Sequence, residues 1–184
     1  MPAGTAHARF GVEPPALLAT PPSAAWGAPN SALVAGRDVW LQHPWSLGAV
    51  PPHECTGALV LGVGLAECHA QTPWSARRWD FVTQGLQAQT PHLWWSSAAQ
   101  LAQVLQGARS LHWQPAPHVH AAFHGLQALL AAGPGQQVLT AHPKPCLFDA
   151  VPSYCPSFSQ WWRSSRIAAH NTPPLGNFRA RARA

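Results

Sequence analysis

His118, His120 and His124 fall within one short stretch, and His120 and His124 are spaced i, i+4 where the apolar residues repeat with helical period. That spacing puts two imidazoles on one helix face, a geometry that can chelate zinc. The same periodicity sets them opposite Phe123 and Leu126 and beside Gln127, with no Cys or carboxylate near in sequence. The expectation is solvated histidines and no metal site. Cys55, Cys68, Cys146 and Cys155 form no Cys-x-x-Cys pair and no haem-attachment motif. Gly62-Val63-Gly64 follows an apolar run, as a dinucleotide loop would, but lacks the third Gly and the opening place in the first βα unit. There is no P-loop and no Gly-x-Ser-x-Gly elbow, and Asp38, Asp80 and Asp149 stand in no recognisable triad context. A single Lys, Lys144, removes most Schiff-base and phosphate-lysine chemistry. No catalytic residue is assigned.

The composition narrows the field further. Of 184 residues only 9% are charged, against about 25% in an average soluble protein. Six carboxylates leave little material for acid/base dyads or hard-metal cages. Twenty Pro and ten Trp are the other departures from the average. Leu, Ile, Val and Phe make up about one fifth of the chain, so the large Trp side chains must supply much of the core. The length suits one domain. The net charge is +5, and part of it lies in Arg179, Arg181 and Arg183. Such a tail meets nucleic acid only weakly and without specificity. No charged segment followed by an apolar one opens the chain, and the longest apolar run, 57–66, is half a membrane span. The expectation is no membrane association and a cytoplasmic protein with reduced thiols.

These residues have to be positioned by a fold. Residues 1–30 hold six Pro and no sustained period, which reads as a disordered leader; 171–184 reads as a flexible basic tail. Between them, short apolar runs alternate with helical patterns. Strands are expected at 31–35, 58–63, 92–95, 110–113 and 136–140. Helices are expected after Thr72-Pro73, with Trp79, Val82 and Leu86 inward; after Ser96-Ser97, with Ala98, Leu101 and Leu105 inward; over 117–131, with Val119, Ala122, Phe123, Leu126, Leu129 and Leu130 inward; and at about 156–168. Strand–helix alternation implies right-handed crossovers. The fold class is therefore α/β: a three-layer αβα sandwich on a five-stranded, mainly parallel Rossmann-like sheet of order 3-2-1-4-5. A ligand in such a sheet sits beyond the carboxyl ends of the strands at the switch point. The expected ligand-binding residues are Gly36, Arg37, Asp38, Trp40, Trp113 and His118: Arg37 and Asp38 fix a polar group, and Trp40 or Trp113 offers a stacking face. The plainer alternative for Arg37 and Asp38 is a solvated turn.

The order of the pieces resembles the N-terminal α/β domain of the photolyase/cryptochrome family. Three stretches carry the likeness, over about residues 31–166: RDVWLQHPWSL (37–47), PWSARRWDFVTQGLQ (73–87) and VPSYCPSFSQWWR (151–163). In the first, Asp38, Val39, Leu41 and Leu47 fit the family's opening signature. Gly36 and Trp40 stand where it has Arg, and His43-Pro44 where it has Asp-Asn. The resemblance implies a photolyase-like domain over 31–170 that stands alone, connected with DNA photorepair or light sensing. It would hold an antenna chromophore such as a folate or deazaflavin, or meet an FAD-domain protein in trans. FAD itself belongs to the family's helical domain and is not expected in this chain. Two alternatives differ in class. One is an enzyme acting on a nucleotide-like small molecule at the same cleft. The other is a ligand-free interaction module or degenerate remnant that uses exposed Trp such as Trp161 and Trp162.

Overall fold

The computed structural model describes residues 16–144. The expected helix at 156–168, the resemblance stretch 151–163, the basic tail, Trp161, Trp162, Cys146 and Cys155 lie outside the described residues. Eight strands and five α-helices occur among those described. In chain order they are β1 (Leu17–Leu18), β2 (Trp26–Gly27), α1 (Ser31–Val34), β3 (Asp38–Gln42), β4 (Leu59–Leu65), α2 (Ala66–Gln71), β5 (Trp74–Ser75), α3 (Ala76–Gln87), β6 (Leu93–Ser96), α4 (Ala98–Leu105), β7 (Ser110–Trp113), α5 (His120–Ala132) and β8 (Leu139–Ala141).

Six of the strands form one parallel sheet in the order β2-β6-β4-β3-β7-β8. The α/β class with a parallel sheet flanked by helices is as expected. The strand count is six rather than five, because β2 adds an edge beside β6. The first expected strand, 31–35, is a helical turn instead. Asn30 caps it, its side chain accepting from the Ala32 N–H at 3.0 Å. Gly36, at φ 68°, then turns the chain into β3, where the central strand actually lies. Short apolar runs do not distinguish helix from strand by period, and the continuously buried Val39–Gln42 stretch is the better core strand.

Residues 16–30 are not structureless, in contrast to the expected leader. β1 pairs antiparallel with β5. The Trp79 indole donates to the Leu18 carbonyl at 3.0 Å, and the Trp26 indole to Thr83 Oγ1 at 2.9 Å. Thr72 ends α2, and Ser75 caps α3 in its place, accepting from the Arg78 N–H. Ser97 caps α4 in a full capping box with Gln100. The expected helix over 117–131 opens as a 3-10 turn at Pro117–Val119 before α5, and Leu129 lies exposed. The last strand is confined to Leu139–Ala141.

The sheet is covered on two faces. Val39, Leu41, Leu61, Val63, Leu65, Leu111 and Trp113 pack against Val34, Leu101, Leu105, Phe123, Leu126 and Leu130 from α1, α4 and α5. On the opposite face Leu93 packs with Trp79, Val82 and Leu86 of α3, with Trp26 and Trp95 alongside. Gly62 and Gly64 sit inside β4, not in a phosphate loop. A Cβ on Gly64 would stand 2.7 Å from the Trp95 ring and 3.0 Å from the Trp26 ring. Gly64 makes room for two indoles, and Gly62 for the Leu93 side chain. Gly64→Ala is expected to cost about 1–3 kcal/mol by overpacking. Gly125→Ala, in α5 with open space around it, should gain about 0.5–1 kcal/mol. Urea denaturation of the two variants checks both signs.

Candidate functional site

The order of strands reverses between β3 and β7, so their carboxyl ends flank the switch point. Two loops meet there. After β3 the chain enters a 3-10 turn, Pro44–Ser46, closed by a capping box in which His43 Nδ1 accepts from the Trp45 N–H. After β7 it runs through Gln114 to the 3-10 turn that precedes α5. His43 joins them: its Nε2 lies 2.8 Å from the Gln114 carbonyl oxygen. The carbonyl can only accept, so Nε2 carries the proton and the ring is neutral. Burial holds the His43 pKa down at about 4, against the partial support of that carbonyl.

Aromatic rings crowd this edge. Trp45 is half-buried and stacks on His69 at 5.3 Å and on His118 at 5.8 Å, nearly parallel to both. His69, from α2, is fully buried among Trp45, Trp74, Trp79 and Trp95, with centroids 4.4–5.5 Å away. Neither of its ring nitrogens has a hydrogen-bond partner. Burial, with the Arg78 charge adding to it, lowers its pKa to about 4.

The six expected site residues are not brought together. Gly36 and Arg37 precede β3, and Asp38 is its first residue, paired with Ser110 at the start of β7. They lie at the amino edge, a strand length of about 16 Å from the carboxyl edge. The cause is the misplaced first strand: with β3 at Asp38–Gln42, the loop taken to follow a strand in fact leads into one. At the amino edge a cavity of about 460 Å³ is lined by Gly36, Arg37, Asp38, Gly57, Leu59 and Arg109. Asp38 pairs there with the Arg109 guanidinium and accepts from Ser110 Oγ at 2.7 Å; both hold its carboxyl well below the usual range. Trp40 is buried, its indole N–H without a partner. Trp113 is buried and stacked on Phe123 at 4.3 Å, a core residue rather than a stacking face. Of the six, only His118 stands exposed at the carboxyl edge.

His43, Trp45 and His69 were not singled out by sequence reasoning. His43-Pro44 and Trp45 sit inside the 37–47 stretch, but the signal there is one of order, not of chemistry. His120 and His124 are exposed as expected, with Nε2 atoms 3.0 Å apart. A second group, Cys55, His112 and His142, was also missed. Its members come from a loop, a strand and a strand end far apart in sequence, with no spacing to announce them.

Fold and site together define a Rossmann-like α/β module with an aromatic, histidine-bearing switch point. No family model matches the sequence, and no curated protein or solved structure matches it significantly. Among the described residues no helix is long and apolar enough to cross a membrane.

The two buried, neutral histidines set the response to acid. In the unfolded chain they titrate near the ordinary value of 6.5, but folded only at about 4. As pH falls through 6.5 the unfolded chain takes up protons that the folded one refuses. Their contribution to stability is thus lost between about 6.5 and 4 and changes no further below. For His43 the loss by pH 5 is about 2 kcal/mol, and His69 adds to it in the same direction. His69→Phe removes two unpartnered nitrogens from an aromatic cage, so it should raise stability at pH 7 by about 1 kcal/mol and flatten the acid slope. Urea midpoints at pH 7 and pH 5 measure both.

Proposed function

We propose that this chain is a photolyase-type antenna module. In this reading it binds a planar heterocycle of folate or deazaflavin type at the carboxyl edge between β3 and β7. It does no chemistry of its own and works with an FAD-domain protein in trans. The observation that carries the reading is the position of Trp45. It lies at the switch point of a doubly wound sheet, the usual ligand position of that architecture. It stacks on buried His69 and, among the described residues, on exposed His118. Swinging His118 aside opens a ring-sized aromatic face on a rigid base. Two of the stretches that resemble the photolyase family, 37–47 and 73–87, form β3 with its following turn and β5 with α3, around that face.

The test is equilibrium binding of methenyltetrahydrofolate and of a deazaflavin to the full chain, read by ligand absorbance after gel filtration and by quenching of Trp fluorescence. Saturable binding of one of them is expected. Losing one stacking face costs about 0.5–1.5 kcal/mol, so Trp45→Ala should weaken binding about 2- to 13-fold, while Trp45→Phe retains most of it. Arg37→Ala, at the opposite edge, should change nothing. The absence of binding by both compounds, or binding lost in Arg37→Ala but kept in Trp45→Ala, overturns the reading.

A further inference from the structure

On the sheet face turned away from α4 and α5, three potential ligand atoms converge from separate elements. Cys55 comes from the 3-10 turn His53–Cys55 in the β3–β4 crossover. His112 stands in the middle of β7. His142 directly follows β8 and is held in line with it, its N–H bonded to the Trp113 carbonyl at 2.8 Å. Cys55 Sγ, His112 Nδ1 and His142 Nε2 all lie within 4.8 Å of one another. Two of the separations are 3.0 Å, between the imidazole nitrogens, and 3.7 Å, from sulfur to His142. Zinc bonds of about 2.0–2.1 Å to nitrogen and 2.3 Å to sulfur at tetrahedral angles set ligand atoms about 3.4 Å and 3.6 Å apart. The unliganded geometry is already close to that.

The surrounding hydrogen bonds give the three atoms a common purpose. His142 Nδ1 lies 3.3 Å from a Glu54 carboxylate oxygen. This is an ion-pair distance rather than a hydrogen bond; in the tautomer that turns the Nδ1 hydrogen toward the carboxylate, Nε2 carries a lone pair. Ser110 Oγ donates to Asp38 at 2.7 Å and so accepts from His112 Nε2 at 2.9 Å. That leaves His112 Nδ1 with a lone pair as well. Two lone pairs then face each other at 3.0 Å beside a buried sulfur. Such an arrangement is repulsive until a proton or a metal cation sits between the nitrogens, and the sulfur beside them suits the metal. Each inward nitrogen is also backed by a carboxylate, directly through Glu54 and through Ser110 for Asp38. This is the outer support that orients and strengthens metal-binding imidazoles.

We propose that Cys55, His112 and His142 form a zinc site with one coordination position left open. The thiolate and two imidazoles suit zinc in both softness and geometry. Trp40, its ring 5.6 Å from that of His142, supplies an apolar wall. The site is independent of the Trp45 ring, on a different part of the sheet, and stands whether or not a heterocycle binds there.

The probe is cobalt(II), added to the chelator-treated full chain and displaced by zinc. One cobalt per chain is expected, with a thiolate-to-cobalt charge-transfer band and the intense visible bands of four-coordinate cobalt. Cys55→Ser should abolish the charge-transfer band. His112→Gln and His142→Gln should each weaken zinc about 100-fold, and Glu54→Gln about 10-fold through the outer support. His120→Ala/His124→Ala should leave affinity unchanged. Circular dichroism of each variant separates loss of metal from loss of fold. Three results overturn the proposal. One is a wild-type chain without a cobalt charge-transfer band, the two nitrogens then sharing a proton. Another is a band that survives in folded Cys55→Ser, the metal then being held by other cysteines. The third is uptake of cobalt lost only with His120 and His124.

Discussion

Strand β3 has to serve two faces at once, and the rest of the molecule follows from how it does so. Its five residues lie between β4 and β7 at the centre of the sheet. Side chains alternate across a strand. Val39 and Leu41 therefore enter the core beneath α1, α4 and α5, while Asp38, Trp40 and Gln42 take the opposite face. A slip of one residue would push Asp38 and Gln42 into that core. Polar anchors at both ends prevent it. Asp38 grips Arg109 and Ser110 across the β7 register. Gln42, fully buried, donates to the Ser46 carbonyl at 3.1 Å and to Gln89. The first anchor holds β7, and with it His112. The second holds the turn that presents Trp45. Both candidate sites hang on one strand.

How much of this is legible in the sequence depends on the range of the interaction. α4 announces itself by a local cap, Ser97 with Gln100, and by apolar residues at helical spacing. Phe123, Leu126 and Leu130 do the same for α5. The alternation of strands and helices is likewise enough for the α/β class. β3 was hidden because Asp38, Trp40 and Gln42 interrupt its apolar pattern, and the stronger apolar run at 31–34 stood in front of it. Asn30 decides that run in favour of helix through one side-chain hydrogen bond. β1, β2 and β5 are two residues each; the Trp79 indole holds Leu18 of β1, and Trp26 of β2 reaches Thr83 of α3. No local period encodes such pairs. The Cys55, His112 and His142 grouping is likewise purely tertiary. Misplacing the first strand alone puts Gly36, Arg37 and Asp38 at the amino edge of the sheet instead of the expected carboxyl edge.

The scarcity of charge has a structural counterpart. Beside the Asp38–Arg109 pair at the start of β3, neutral amides do much of the polar joining. Gln106 donates to the Leu130 carbonyl at 3.2 Å and accepts from the Gly135 N–H at 2.9 Å, closing the end of α5. Gln137 donates to the Gln106 and Ala108 carbonyls, at 3.2 and 2.8 Å. Gln127 accepts from the Leu139 N–H at 2.6 Å and so places β8. An amide meets both a donor and an acceptor with one side chain and carries no charge to desolvate. A sheet covered on both faces is where that saving is largest.

The same economy explains why histidine carries the polar side of both candidate sites. A buried neutral imidazole can donate at one nitrogen and accept at the other. His43 does so between two loops, at the Gln114 carbonyl and the Trp45 N–H. His112 and His142 each spend one nitrogen on an outer partner and turn the other inward. His69 spends neither, yet it is enclosed by four indoles. Burying unpartnered nitrogens is costly, and an apolar ring would fill that space without the cost. The remaining property of a neutral imidazole there is its flat ring with a positive C–H and N–H edge, set at 85° to the Trp74 indole at 4.5 Å, which stiffens the base beneath Trp45. On that account rigidity of the Trp45 platform, not proton transfer, is what His69 contributes.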